Sequence, residues 1–276
     1  MRKVKSLKKG ICIGCLSGLA ASPAQALSLE EQFQLARKAG FDGIEPRGTV
    51  DPDEAKRLRA LADQFGLDLP SIMGGIQWQK PLSSPDHGVR QESMDNVKAS
   101  IECAKIMGAD VVLVIPGVVN NVDTNYQQCW DRTIGALQEL APFAEEHRVY
   151  IGLENVWNKF LHSPREFASF IDAVGSPYVQ MYFDVGNHRI FGYPEQWIQM
   201  LGQRIKKVHF KDFNESTRTF TNLLEGDVDW KKVMEAFRSV GYDDYVTAEL
   251  GIYKSCPEQA IYDHSARMDR IIAGKW

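Results

Sequence analysis

The chain has 276 residues, of which 44% are hydrophobic, 25% charged and 10% aromatic, and its formal net charge is -4. This composition excludes disorder, coiled coil and collagen-like structure, and the length allows one large α/β core. A mildly acidic chain without a long basic run is a poor match to nucleic acid, and no stretch approaches the ~20 apolar residues that span a bilayer.

The first 26 residues admit two readings. Residues 1–10 carry Arg2, Lys3, Lys5, Lys8 and Lys9, an apolar run follows, and Ala24-Gln25-Ala26 matches the cleavage site of an export signal. Against export, Gly14, Ser17 and Gly18 interrupt the run, and residues 10–14 read as a short buried strand. The strand is expected, and with it a cytoplasmic protein that keeps its first residues; export with loss of residues 1–26 is the alternative. Cys12 and Cys15 form a C-x-x-C, but residues three apart on a strand face opposite sides, so both are expected as small core residues. Five cysteines, an odd number, suit reduced thiols rather than a disulfide framework.

Beyond this point short β-branched runs alternate with amphipathic helical stretches. Strands are expected at residues 10–14, 41–45, 67–73, 110–115, 149–154, 179–184, 205–210 and 245–249. Start and stop signals frame the helices between them. Ser28 and Glu31 form a capping box before Phe33 and Ala36, with a stop at Gly40. Asp51-Pro52 opens a stripe that ends at Gly66, Ser163-Pro164 opens another that ends at Gly175, and Gly241 follows Val233, Ala236, Phe237 and Val240. Residues 76–90 and 214–225 read as long loops. The spacing, about 34 residues per β–α unit, predicts a single α/β domain over residues 1–276, a (β/α)8 TIM barrel. An open doubly wound sheet would want a G-x-G-x-x-G turn, and none is present.

Active sites of such barrels lie at the C-terminal ends of the strands. The last four strands end in Gly152-Leu153-Glu154-Asn155, Tyr182-Phe183-Asp184-Val185-Gly186-Asn187, Val208-His209-Phe210 and Ala248-Glu249-Leu250. Glu154, Asp184, His209 and Glu249 would then converge on one mouth. Three carboxylates buried together repel and raise each other's pKa, a penalty that a divalent cation removes. Three oxygens and one imidazole suit Mn2+, Co2+, Mg2+, Fe2+ or Zn2+.

These strand ends, with Gly-Asp-Val-Asp-Trp at residues 226–230, resemble the sugar isomerase/epimerase superfamily with the xylose-isomerase-like barrel. Within it they are most similar to ketose and ketose-phosphate 3-epimerases, and the resemblance spans essentially the whole chain. It implies that Glu154, Asp184, His209 and Glu249 bind one metal ion, usually Mn2+, and that Glu154 and Glu249 exchange the substrate proton. Three positions depart from the ketulose epimerases. Asn187 stands where they carry a histidine, with His188 one residue later. Phe160 replaces a second glutamate. Their substrate arginine follows the metal histidine closely, and here Arg218 is the nearest counterpart.

Further contacts to substrate are expected from Asn187, His188, Arg218, Trp157 and Asn158, and Lys211 or Lys207 could neutralise a substrate phosphate. Glu45 reads as a hydroxyl contact or as a rim ion pair with Arg47. Trp78 reads as a platform or as core. The expected activity is C3 epimerisation of a ketose or ketose phosphate through a cis-enediolate, or the related aldose–ketose shift, with Glu154 and Glu249 as acid and base. The competing readings are a lyase or dehydratase of the same superfamily acting on a keto-sugar or 3-keto-glycoside, and a non-catalytic sugar-binding barrel. An AP endonuclease would need extra histidines at strand ends and a basic surface, which are missing. The expected partner is a small sugar or sugar phosphate, with no nucleic acid and no membrane; barrels of this group often pair as homo-oligomers.

Overall fold

Caps and glycine stops set the elements. The structure, a computed structural model, describes residues 7–17 and 27–275. Its first half contains β1 (Lys8–Cys12), α1 (Ile13–Ser17), α2 (Leu29–Lys38), β2 (Gly43–Glu45), α3 (Pro52–Phe65), α4 (His87–Met107), β3 (Val111–Val114) and α5 (Tyr126–His147). The second half contains β4 (Tyr150–Glu154), α6 (Pro164–Val174), β5 (Val179–Asp184), α7 (Val185–Arg189), α8 (Pro194–Leu201), β6 (Ile205–Phe210), β7 (Asp212–Asn214), β8 (Thr219–Thr221), α9 (Trp230–Val240), β9 (Tyr245–Ala248) and α10 (Pro257–Ile272). The capping box before α2 is complete: Glu31 N–H donates to Ser28 Oγ at 3.2 Å and Ser28 N–H to Glu31 Oε2 at 2.7 Å. Gly66, Gly175 and Gly241 close α3, α6 and α9 in the left-handed region that other residues avoid.

Seven strands pair in parallel in the order β2-β1-β9-β6-β5-β4-β3. The expected third strand, residues 67–73, is not continuous. Pro70 has no N–H to donate, and the segment instead makes one parallel bridge on each side, Asp68 to Gly43 of β2 and Ile72 to Val112 of β3. Those two bridges join the outermost strands and close the ring, which gives the expected (β/α)8 barrel. The main apolar core lies between the strands and the surrounding helices. A smaller cluster, Val111, Leu113 and Tyr182 with Tyr150 against it, packs separately.

Four local expectations change. The first strand ends at Cys12, and the helical turn α1 begins at Ile13. Cys15 therefore swings round to line the same cavity as Cys12. The first expected long loop stops at Asp86, which caps α4 by accepting from Gly88 and Val89 N–H. The second contains the antiparallel hairpin β7–β8. All five cysteines are free. Ala24-Gln25-Ala26 lies outside the described residues. Among the described residues no helix is long and apolar enough to cross a membrane.

His188 belongs to this packing and not to the mouth. The turn of α7 carries it beneath the strand ends, fully buried, 4.4 Å from the Phe183 ring and 4.2 Å from Trp197, with Nδ1 2.6 Å from the Asp184 carbonyl. Burial lowers its pKa from 6.5 to about 4. Above pH 6.5 folded and unfolded chains both leave it neutral. As pH falls through 6.5 the unfolded chain gains a proton that the folded chain refuses, and the loss of stability is complete below about 4. The full effect is about 3 kcal/mol. Urea unfolding between those limits is expected to show a shallower acid limb for His188→Gln than for the wild type; superimposable limbs would contradict this.

Candidate metal centre and active-site mouth

Parallel register brings the four ionisable strand ends together. Glu154 ends β4, Asp184 ends β5 and pairs in register with His209 of β6, and Glu249 follows the last residue of β9. One ligand atom from each of Glu154, Asp184, His209 and Glu249 lies within 4.8 Å of all the others. His209 Nδ1 stands 3.5 Å from Glu154 Oε1, 3.5 Å from Glu249 Oε2 and 3.9 Å from Asp184 Oδ2. Asp184 and His209 have no solvent exposure.

Burial pushes the Glu154 carboxyl up to about 7, an effect eased by His209 and reinforced by Glu249 and Asp184. Asp184 is raised too, again chiefly by burial. Glu249 goes the other way: burial would raise it, but Lys211 and His209 outweigh burial and hold it low. Asp184 Oδ2, His209 Nδ1 and Glu249 Oε2 are buried atoms without a hydrogen bond; the two oxygens have an ion-pair contact with Lys211 Nζ, and His209 Nδ1 faces only carboxylates. Buried polar atoms left in this way are uncommon unless something else satisfies them. Metal–oxygen and metal–nitrogen bonds of about 2.0–2.2 Å match the observed separations. The residues therefore fit a divalent cation.

Behind His209 lies a group that sequence spacing did not assemble. Glu45, fully buried, places Oε2 2.7 Å from His209 Nε2. Its Oε1 accepts from Tyr182 Oη at 2.6 Å and Ser71 Oγ at 2.7 Å, and Cys12 Sγ donates to Oε2 at 3.1 Å. Burial would raise the pKa of Glu45, but His209, Tyr182 and Ser71 hold it low, so the carboxylate is charged. A proton on Nε2 directed at that carboxylate leaves the Nδ1 lone pair facing the other three ligand atoms. Glu45 is thus neither a rim ion pair with Arg47 nor exposed to a substrate hydroxyl.

The remaining candidates separate clearly. Asn187 is buried, donating its backbone N–H to Asp184 Oδ1 at 2.7 Å and its side-chain amide to Glu154 Oε1 at 3.2 Å, so it orients two carboxylates. Asn158 is buried and donates to the Gly117 carbonyl, pinning the loop after β4. Lys207 sits at the opposite end of β6, paired with Asp110 and Asp244. Trp78 is exposed and is not core. Phe160 packs among Tyr126, Trp130 and Phe170. Arg218 is exposed in the β7–β8 turn and does not line the cavity.

A cavity of about 650 Å3 opens beside the carboxylates, lined by Cys12, Cys15, Lys211, Phe220, Glu249 and Tyr253 among others. Phe220 reaches it from β8 and stacks on Trp157, with ring centres 4.9 Å apart; one Trp157 face is thereby occupied. The hairpin is held at its base by Asp212, whose carboxylate accepts from Phe213, Leu224 and Val228 N–H and from Trp230 Nε1 at 2.9–3.3 Å. A Cβ at Gly226 would stand 2.2 Å from Asp212 Oδ1, which accounts for the glycine that opens Gly-Asp-Val-Asp-Trp.

Known proteins resemble this chain along most of its length. The chain is 25% identical over 233 residues to an uncharacterized protein of Methanocaldococcus jannaschii, covering 80% of this chain and 79% of that one. It is 25% identical over 227 residues to an L-ribulose-5-phosphate 3-epimerase of Escherichia coli, covering 77% and 78%. A solved L-ribulose 3-epimerase superposes with a TM-score of 0.81 at 22% identity, covering 98% of this chain and 95% of the other. The profile of one family matches residues 33–271, and the chain belongs to it: the xylose isomerase-like TIM barrel family.

Proposed function

We propose that this chain is a divalent-metal-dependent ketose 3-epimerase acting on a ketose or ketose phosphate, with Mn2+ as the leading ion. The observation that carries the reading is the meeting of Glu154, Asp184, His209 and Glu249 at the strand ends, with no hydrogen bond to three of their buried ligand atoms, beside an open cavity that Glu249 lines. Similarity to L-ribulose-5-phosphate 3-epimerase supports the reaction class. A divalent cation held by these four residues would polarise the C2 carbonyl of a ketose and acidify its C3 hydrogen.

The protein supplies the proton chemistry. Glu154 and Glu249 come from strands separated by β5 and β6 in the sheet, so they can flank a bound sugar. In the metal-free site their settings differ: Lys211 and His209 keep Glu249 ionised, whereas burial lifts Glu154 to about 7. One carboxylate takes the C3 proton to give a cis-enediolate, and the other returns a proton to the opposite face. Asn187 steadies Glu154 and Asp184, Lys211 lines the cavity with Glu249, and Phe220, backed by Trp157, forms part of its wall. β1 pairs with β2 and β9 from Lys8 onward, so loss of residues 1–26 would remove a barrel strand. This supports retention of the strand at residues 8–12 in a one-domain barrel.

The two glutamates can be tested separately. Glu154→Gln and Glu249→Gln should each lower epimerisation in both directions by about 10²–10⁴-fold. Deuterium wash-in at C3, followed by NMR at saturating Mn2+, should survive for one epimer in each variant, and for opposite epimers in the two. Near wild-type epimerisation in either variant, or wash-in to the same epimer in both, would reject the two-base scheme. Loss of a β-substituent from the substrate would identify a lyase instead.

The role of Glu45 has its own measurement. Glu45→Gln preserves shape but removes the charge that orients His209. Calorimetry should show Mn2+ affinity reduced by about 10–100-fold, with a larger loss for His209→Ala. Undiminished affinity in Glu45→Gln would mean that its contact with His209 does not support metal binding.

A further inference from the structure

Lys211 stands where a cation belongs. Its Nζ is 3.0 Å from Asp184 Oδ2 and also contacts Glu249 Oε2, two buried oxygens with no hydrogen-bond donor other than this ammonium. The residue is 9% exposed, yet it lines the cavity. Its path is built. The stem passes Gly186, where a Cβ would lie 2.8 Å from Lys211 Cγ, and the ammonium rests 4.6 Å from the centre of the Phe220 ring. One positive charge therefore sits against the two carboxylates that a divalent ion would also need. An ammonium and a dication held by the same oxygens repel strongly at such range.

We propose that Lys211 is an exchangeable internal counter-cation: it holds Asp184 and Glu249 together in the metal-free barrel, and a divalent ion displaces it into the cavity, where its Nζ meets a substrate oxygen. This rests on the metal reading above. It makes Lys211 a competitor of the metal, whereas a merely structural lysine would support metal binding. Exchange leaves the mouth cation-filled in both states, so the carboxylates are never left facing one another alone.

Metal-free wild type and Lys211→Met are titrated with Mn2+ alone by calorimetry, and both are melted with and without the ion. Loss of the competing charge should tighten Mn2+ binding by about tenfold. The variant should melt below the wild type when metal-free and recover most of the difference with Mn2+. A second measurement needs no variant: reductive methylation of Lys211 in the wild type, read by mass spectrometry, should run several-fold faster with Mn2+ than without. Equal or weaker Mn2+ affinity in Lys211→Met, or labelling that is unchanged or slower on loading, overturns the exchange. Should the variant not fold metal-free, wild-type labelling decides. A wild type that binds no Mn2+ instead overturns the metal reading, and the exchange with it.

Discussion

Like charge under burial governs this molecule. Glu154, Asp184 and Glu249 bring their oxygens within a few ångströms of one another at the mouth, the first two buried and the third partly exposed. Much of the nearby structure answers that repulsion. His209 lies between the three, Lys211 contacts two of them, and Asn187 donates to the other pairing, Asp184 and Glu154. Even α7 takes part, since Asp184 is its N-cap and the first turn directs a backbone N–H at the carboxylate. A barrel mouth with this composition is set up for positive charge before any ligand arrives.

The floor of the mouth is built from further away than its rim. Glu45 comes from β2, and it meets His209 and Tyr182, from the adjacent strands β6 and β5, across the barrel interior. Ser71 joins from the interrupted stave that closes the ring. The break at Pro70 therefore costs ladder hydrogen bonds in the same segment that supplies a donor to Glu45. Orientation of the single imidazole is a property of the whole closed ring, not of one loop.

The meeting of Glu154, Asp184, His209 and Glu249 was legible because each is an ionisable residue at the end of an apolar run, a pattern with a local cause. Glu45 was not, because its sequence neighbours Pro46 and Arg47 offer a plausible nearby partner, while its actual partners lie 26, 137 and 164 residues away. His188 and Asn187 read as contacts from their nearness to Asp184; the helical turn of α7 sends one into the core and the other back to the carboxylates. Cys15 changed sides because the strand ended three residues before it, and alternation stops where a strand stops. The β7–β8 hairpin was hidden by its polar, loop-like composition, and it positions Phe220 by tertiary contact with Trp157.

Asp212 ties the base of that hairpin to the start of α9 with one carboxylate, leaving the turn that contains Arg218 outside the bonds it makes. Anchor and tip are mechanically separate. Residues of the turn can be exchanged or lengthened with little strain on β6, whose register with β5 and β9 places His209. The same scaffold can therefore diversify the outer wall of its cavity while the cluster around His209 is kept intact, with Gly226 and Trp230 as the residues least free to drift.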